Sequence, residues 1–240
     1  ITKWATDLVA VSRATRKTLI DYRGWDPYRN PIRVIHNGFE ISNEIKRDLN
    51  FRKKYNITTD SFIVGMVGRI DRYKGQEDLL IALSELPDQI RNNYTAVFVG
   101  TDGGSGETKR LKNLSGKLNV SKQIVFTGFI EGEIKNVISN FNILAMLTKD
   151  FEGFGLTIGE AMVCNVPVIC TDVGAVREFV DDQVAWIIPP EDPSSLASLL
   201  IQYHDSKLIF KEKAASAKIH IKKWDAKIMA ERFYRIIAIE

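Results

Sequence analysis

The chain is poor in the residues that build metal and redox centres, with two cysteines and three histidines in 240 residues. Cys164 and Cys170 have neither CxxC spacing nor accompanying histidines, which argues against a zinc or thiol-exchange site. They read as reduced, buried thiols. His36, His204 and His220 are scattered and form neither a triad nor a metal set. His36, in VIHNG, reads as a linker residue and the other two as helix-surface positions. No Asp-x-Asp pair is present. No run reaches the ~18 apolar residues of a membrane-spanning helix, and the opening ITKWATDLVAVS lacks the charged start and apolar core of a signal peptide. GxxxxGK[ST] is missing, and no GxGxxG follows the first strand of the predicted sheet, which disfavours a P-loop enzyme and a nicotinamide dehydrogenase. Thr101–Gly106 (TDGGSG) has the wrong position for that fingerprint and reads as a turn leading into a helix. Neither an internal repeat nor a low-complexity segment occurs.

A net charge of +3 argues against strong nucleic-acid binding, but the charge is unevenly spread. Residues 1–60 hold 12 Lys+Arg against 7 Asp+Glu and residues 205–240 hold 9 against 5, which leaves 61–204 at −6. Basic ends suit an anionic membrane surface; the alternative is solvated helix faces on part of a larger electrostatic surface. The expected location is cytoplasmic, with peripheral contact at the inner face of a membrane as a further option.

What the chain does have is a regular alternation of short apolar runs with amphipathic stretches, the pattern of a parallel sheet wrapped by helices. Strands are expected at 62–68, 95–100, 123–129, 142–147, 166–171 and 185–188. Helices are expected near 75–86, 106–119, 131–140, 156–164, 174–181 and 194–204. The fold class is therefore α/β, a Rossmann-like, doubly wound, six-stranded parallel sheet whose ligands bind at the carboxyl ends of the strands. Residues 1–40 differ, with a strand at 7–12, a basic helix at 13–22 and a short strand at 32–35. Residues 41–60 suit a helix.

The most informative stretch is Phe151-Glu152-Gly153-Phe154-Gly155-Leu156, with Glu160 beyond it. An expected strand runs into this glycine-flanked loop, which opens the helix LTIGEAMVC. Freed N–H groups and the positive dipole end at a helix start form an anion site, and Gly153 and Gly155 allow close approach to the backbone. Glu152 lies on the loop and Glu160 one turn into the helix, where ionised carboxylates accept hydroxyl hydrogen bonds. Together they suit a sugar attached to a phosphate. Arg69 and Lys74, after the apolar strand FIVGMVG, add a forked guanidinium and a compact ammonium.

E-G-F-G-L-x-x-x-E resembles the donor-site signature of glycosyltransferase family 4, retaining enzymes of GT-B fold that use nucleotide sugars. The flanks strengthen the resemblance: VGRIDRYKG (67–75), VPVI with TDVG (166–169 and 171–174), and WIIPPEDP (186–193) keep the family's order and spacing. The resemblance implies that Arg69 and Lys74 grip the diphosphate and, with Glu152 at the donor sugar, form the catalytic set. It implies a donor site made of Gly68, Arg69, Lys74, Gly128, Phe129, Ile134, Glu152, Gly153, Phe154, Gly155, Leu156, Thr157 and Glu160, with Glu160 on the ribose. Residues 127–134 are then beside the nucleobase, read through backbone groups. The implied donor is of UDP or GDP type, with neither metal nor other cofactor, and the implied acceptor is a glycan or lipid-linked saccharide.

The implied organisation is the end of an N-terminal acceptor domain and linker (1–40), a donor-binding Rossmann-like domain (41–222) and a C-terminal crossover helix (223–240). Most of the acceptor domain is then outside these residues. Asn165 and Ala175 stand where the family commonly has glycine; asparagine tolerates left-handed backbone angles, so the first change is mild. Plainer readings exist for each charge. Arg69 and Lys74 suit a solvated loop with Asp71 and Asp78 as partners, Glu160 a buried pair with Arg177 or Lys149, and Glu152 an exposed loop acid. A nucleotide-sugar-binding module without catalysis and a GT-B epimerase are the alternative functions.

Overall fold

The computed structural model describes residues 8–23, 31–41 and 44–238, apart from the side chains of Tyr22, Arg23 and Ile237. Its centre is a six-stranded, all-parallel sheet of β3 (Phe62–Val67), β4 (Tyr94–Val99), β5 (Ile124–Gly128), β6 (Ile143–Met146), β7 (Val168–Thr171) and β8 (Trp186–Ile188). The spatial order is β5-β4-β3-β6-β7-β8. The chain thus winds outward from β3 in one direction, returns, and winds outward from β6 in the other. Strands β3 and β6 flank the point where the winding reverses, and crevices at such points receive ligands.

Alternation along each strand divides the core into two layers. Ile63, Val97, Val99, Leu144, Met146, Val168 and Cys170 face one cluster with Ile138, Phe154, Ile158 and Met162. Val64, Met66, Ala96, Phe98, Ile143, Ala145 and Ile169 face the other with Leu79, Leu83, Leu111, Leu196 and Phe210. The first layer carries α6 (Ile134–Ile138) and α7 (Leu156–Val163). The second carries α3 (Gln76–Glu85), α5 (Glu107–Lys117) and α8 (Pro193–Asp205). Strands buried on both faces need unbroken apolar runs, and all six residues of β4 are buried.

The N-terminal piece is a small parallel pair, β1 (Leu8–Ala10) and β2 (Ile32–Val34), with α1 (Arg13–Arg23) following β1. Beyond it, Phe39 donates its N–H to the Trp224 carbonyl at 2.7 Å and accepts from the Ala226 N–H at 2.9 Å. The segment leaving the small sheet is thereby tied to the start of the last helix, α10 (Ala226–Ile237).

Two expectations need correction. Among the described residues of 41–60 only one helical turn forms, α2 (Phe51–Lys54). The helix expected at 174–181 is a single 3₁₀ turn, Val176–Glu178, preceded by left-handed Gly174 at φ 56°. Val176, Phe179 and Val180 are all buried, and one tight turn suffices to aim them at the core. Two helices were not foreseen: α4 (Asp88–Arg91) and the 14-residue α9 (Lys207–His220), whose Phe210, Ala214 and Ala217 form a buried stripe at helical spacing. Among the described residues no helix is long and apolar enough to cross a membrane.

Candidate functional site

The loops after β3 and β6 close over the winding-reversal point and enclose a cavity of about 280 Å³. Its wall includes Gly68, Lys74, Thr148, Glu152 and the backbone from Gly153 to Thr157. Gly155 at φ 89° caps α7 without a side-chain partner, and the Ile158 N–H is already bonded to the Gly155 carbonyl at 3.0 Å. The first-turn N–H groups of Leu156 and Thr157 are those an α-helix leaves without an internal acceptor.

Within this cavity the Lys74 ammonium lies 2.9 Å from the Glu152 carboxylate. Thr148 ties the two together, its hydroxyl accepting from Lys74 at 3.4 Å and donating to Glu152 at 3.3 Å. The Thr148 carbonyl is held by the buried Thr171 hydroxyl at 2.6 Å, which fixes this triad to β7. Sequence reasoning missed Thr148, although it follows the end of β6 just as Arg69 follows β3. Gln76 was also missed; buried at the first position of α3, it donates to the Arg69 carbonyl at 2.8 Å and so anchors the loop after β3.

A second cavity of about 470 Å³ shares Leu156 with the first and is lined by Gly38, Phe39, Glu40, Gly132–Lys135, Glu160 and Val163. The Glu160 carboxyl opens onto it. Burial pushes that carboxyl up to about 7, with Lys135 pulling the other way. Lys135 itself lies 3.0 Å from Glu40 and 3.5 Å from Glu133. This end of the crevice therefore carries three carboxyl groups, that of Glu160 partly protonated near neutral pH, and one ammonium, whereas the first cavity sets a cation beside a helix N-terminus.

Ten of the thirteen expected donor-site residues line these two cavities: Gly68, Lys74, Ile134, Glu152, Gly153, Phe154, Gly155, Leu156, Thr157 and Glu160. Arg69, Gly128 and Phe129 do not. The Arg69 side chain is 83% exposed and 3.6 Å from Asp71; Phe129 is exposed, and the Gly128 carbonyl is bonded to the Gly100 N–H. The Phe154 ring is buried, stacked on Phe179 at 4.7 Å between centroids and 12° between planes.

The structure agrees with the plainer reading for Arg69, exposed beside Asp71, and not for the other charges. Asp78 is no surface partner of Lys74, because it is buried and paired with Lys149 at 3.2 Å. Arg177 pairs with Asp172 and Asp182, so neither Arg177 nor Lys149 neutralises Glu160. Glu152 is not an exposed acid, since its side chain is only 17% accessible. Nor is His36 a bystander: its Nε2 is 2.8 Å from Glu178, and its ring packs on Trp224 and Phe154. His204 and His220 are half-buried, His220 bonding the Phe179 carbonyl at 2.8 Å. Asn165 does adopt a left-handed angle, φ 58°. Burial pushes both cysteine thiols up to about 12, in keeping with unreactive, unpaired thiols.

The family model described as glycosyl transferases group 1 matches residues 48–224. An uncharacterized glycosyltransferase of Methanocaldococcus jannaschii is 29% identical over 173 residues, 69% of this chain and 43% of that protein. The GDP-mannose-dependent monoacylated alpha-(1-6)-phosphatidylinositol monomannoside mannosyltransferase of Corynebacterium glutamicum is 27% identical over 79% of this chain and 50% of its own length. The chain thus spans about half the length of the curated relatives it matches. Among solved structures, Anabaena HepE in complex with UDP-glucose superposes with a TM-score of 0.88 at 25% identity, over 99% of this chain and 65% of that one. The likeness is to glycosyltransferases of GT-B fold, with which the six-stranded parallel sheet agrees. The matched segment takes in well over half of these residues, and the chain belongs to the glycosyl transferases group 1 family.

Proposed function

We propose that this chain is the donor-binding half of a retaining glycosyltransferase, one that moves a sugar from a nucleoside diphosphate to a hydroxyl of a glycan or lipid-linked acceptor. The observation that carries the reading is the placement of the Lys74 ammonium 2.9 Å from the Glu152 carboxylate at the start of α7. A cation and helix N–H groups suit the diphosphate, and the adjoining carboxylate suits sugar hydroxyls. The acid-rich second cavity repels phosphate and suits the hydroxyl-rich ribose with its base, so the nucleotide has a direction. Ribose meets Glu160, the diphosphate meets Lys74 and the N–H groups of Leu156 and Thr157, and the sugar meets Glu152.

As the glycosidic bond to the diphosphate breaks, negative charge collects on the outer phosphate. Lys74, the α7 N-terminus and Arg69, once it turns in from solvent, stabilise that charge more than they stabilise the bound donor. The leaving phosphate takes the acceptor's proton as the acceptor oxygen bonds to the anomeric carbon on the face from which the phosphate departs, and neither a protein nucleophile nor a metal ion is invoked. Anabaena HepE binds UDP and UDP-glucose and the Corynebacterium glutamicum relative depends on GDP-mannose, which supports a UDP or GDP donor here. Calorimetry against UDP, GDP, ADP and their sugar conjugates is the test. Tight binding of one diphosphate with little multiple turnover by residues 1–240 alone is expected. Binding of none of them overturns the proposal.

A further inference from the structure

Glu178 is a carboxylate of the donor half that reaches into the N-terminal piece. It accepts the Arg13 N–H at 2.9 Å and the Ala14 N–H at 2.8 Å, the first amides of α1, and lies 2.8 Å from the His36 Nε2. Its side chain is 14% accessible, and that of His36 is 12% accessible. Burial works against its charge, but the N–H groups of Arg13 and Ala14 with His36 hold its carboxyl below the usual carboxylate range. At the next residue the Thr15 hydroxyl donates to the Gly153 carbonyl at 3.3 Å, so α1 touches the donor loop directly.

A second route runs through the backbone. The Glu178 N–H donates to the Ala175 carbonyl, and the Ala175 N–H donates to the Glu152 carbonyl, both at 2.9 Å. The contact is tight: a Cβ on left-handed Gly174 would lie 2.2 Å from the Glu152 carbonyl oxygen. The two routes close a ring from the Glu178 carboxylate through the first turn of α1 to Gly153, back along the chain to Glu152, then through Ala175 to Glu178. His36 braces it from inside, its ring against Phe154.

We propose that Glu178 is a positioning residue of the donor site, acting through Thr15 and Ala175 on the loop that carries Glu152. This rests on the reading that Glu152 meets the donor sugar. The diphosphate end has a second support, because Lys74 is also set by the loop after β3, its N–H held by Asp71 and the Arg69 carbonyl by Gln76. Loss of the Glu178 carboxylate therefore loosens the sugar contact more than the phosphate contact.

The test compares Glu178→Gln and Thr15→Val with the parent chain, using UDP against UDP-glucose and GDP against GDP-mannose. Glu178→Gln is close in shape and limits unfolding. Expected is diphosphate affinity within about twofold of the parent, with roughly tenfold loss of the preference for the sugar-bearing donor; Thr15→Val shows a smaller loss of the same kind. Hydrogen exchange supplies a readout free of ligand: amide protection at Ala175, Arg13 and Ala14 falls in Glu178→Gln while β3 and β4 stay protected. Unchanged preference overturns the proposal, as does unchanged protection at Ala175. If the parent binds neither ligand pair, the donor-site reading fails, and the exchange result still decides whether the ring holds the loop.

Discussion

The Lys74 ammonium lies 2.9 Å from the Glu152 carboxylate, though 77 residues separate them in the chain. One follows β3 and the other follows β6, so the pair spans the point at which the sheet reverses its winding. With 29% and 17% of their side chains accessible, they are shielded enough for each to need the other.

Lys74→Ala is expected to weaken diphosphate binding by roughly 1.5–3 kcal/mol, the loss of a charge-assisted contact. Glu152→Gln should leave diphosphate binding nearly intact and reduce the preference for the intact nucleotide sugar. Both variants should also melt lower without ligand, because each strands a half-buried charge or breaks its bridge to Thr148. Calorimetry and thermal melting check both points. A common loss for both ligands in both variants contradicts the division of roles.

Arg69 is a contrasting case. Exposed and loosely set against Asp71, it should contribute little to stability, so Arg69→Ala should change unfolding by no more than about 0.5 kcal/mol. Diphosphate binding should nonetheless weaken by roughly 1.5–3 kcal/mol, while nucleoside without phosphate binds variant and parent alike. Equal weakening for the nucleoside would mean that the turn, not the guanidinium, had been damaged.

Glu160 should make both folding and nucleotide binding sensitive to pH. Its carboxyl is pushed by burial from the ordinary 4.5 up to about 7. Between those values the folded chain keeps a proton that the unfolded chain has released, so stability falls as pH rises through this window. The loss is complete above it and is on the order of 3 kcal/mol. Glu160→Gln should remove most of that slope and be the more stable protein at pH 8. Ribose hydroxyls favour the ionised carboxylate, so nucleotide affinity in the parent should rise from pH 6 to pH 8, with proton release on binding at pH 6. Chemical unfolding across pH and calorimetry in buffers of different ionisation enthalpy measure these effects. A flat affinity profile counts against Glu160 as the ribose contact.

Asn165 ends the α7 turn in a left-handed conformation, φ 58°. Asn165→Gly should be neutral or stabilising by a few tenths of a kcal/mol, whereas Asn165→Ala should cost about 1 kcal/mol. Denaturant midpoints for the two variants are enough to check this, and reversal of their order would refute the backbone argument.

The sequence by itself determined the sheet. Apolar runs such as FIVGMV and YTAVFV, punctuated by amphipathic helices, can be buried on both faces only as parallel strands, and all six strands lie where alternation and run length placed them. It also marked the loop ahead of α7 as a candidate anion site, because a glycine-flanked loop between a strand and a helix is a local signal. What it did not determine is which charges are neighbours. Glu152 looks like a loop acid until β3 and β6 bring Lys74 to it, and Glu160 looks pairable with Arg177 or Lys149 until those find Asp172, Asp182 and Asp78 instead. The 174–181 segment has helix-like spacing, yet the core takes Phe179 and Val180 in one 3₁₀ turn and sends Glu178 across to α1. Periodicity records which face of an element is buried, and that is local. The partner of a charge depends on distances between elements far apart in sequence, which exist only once the sheet has closed its order.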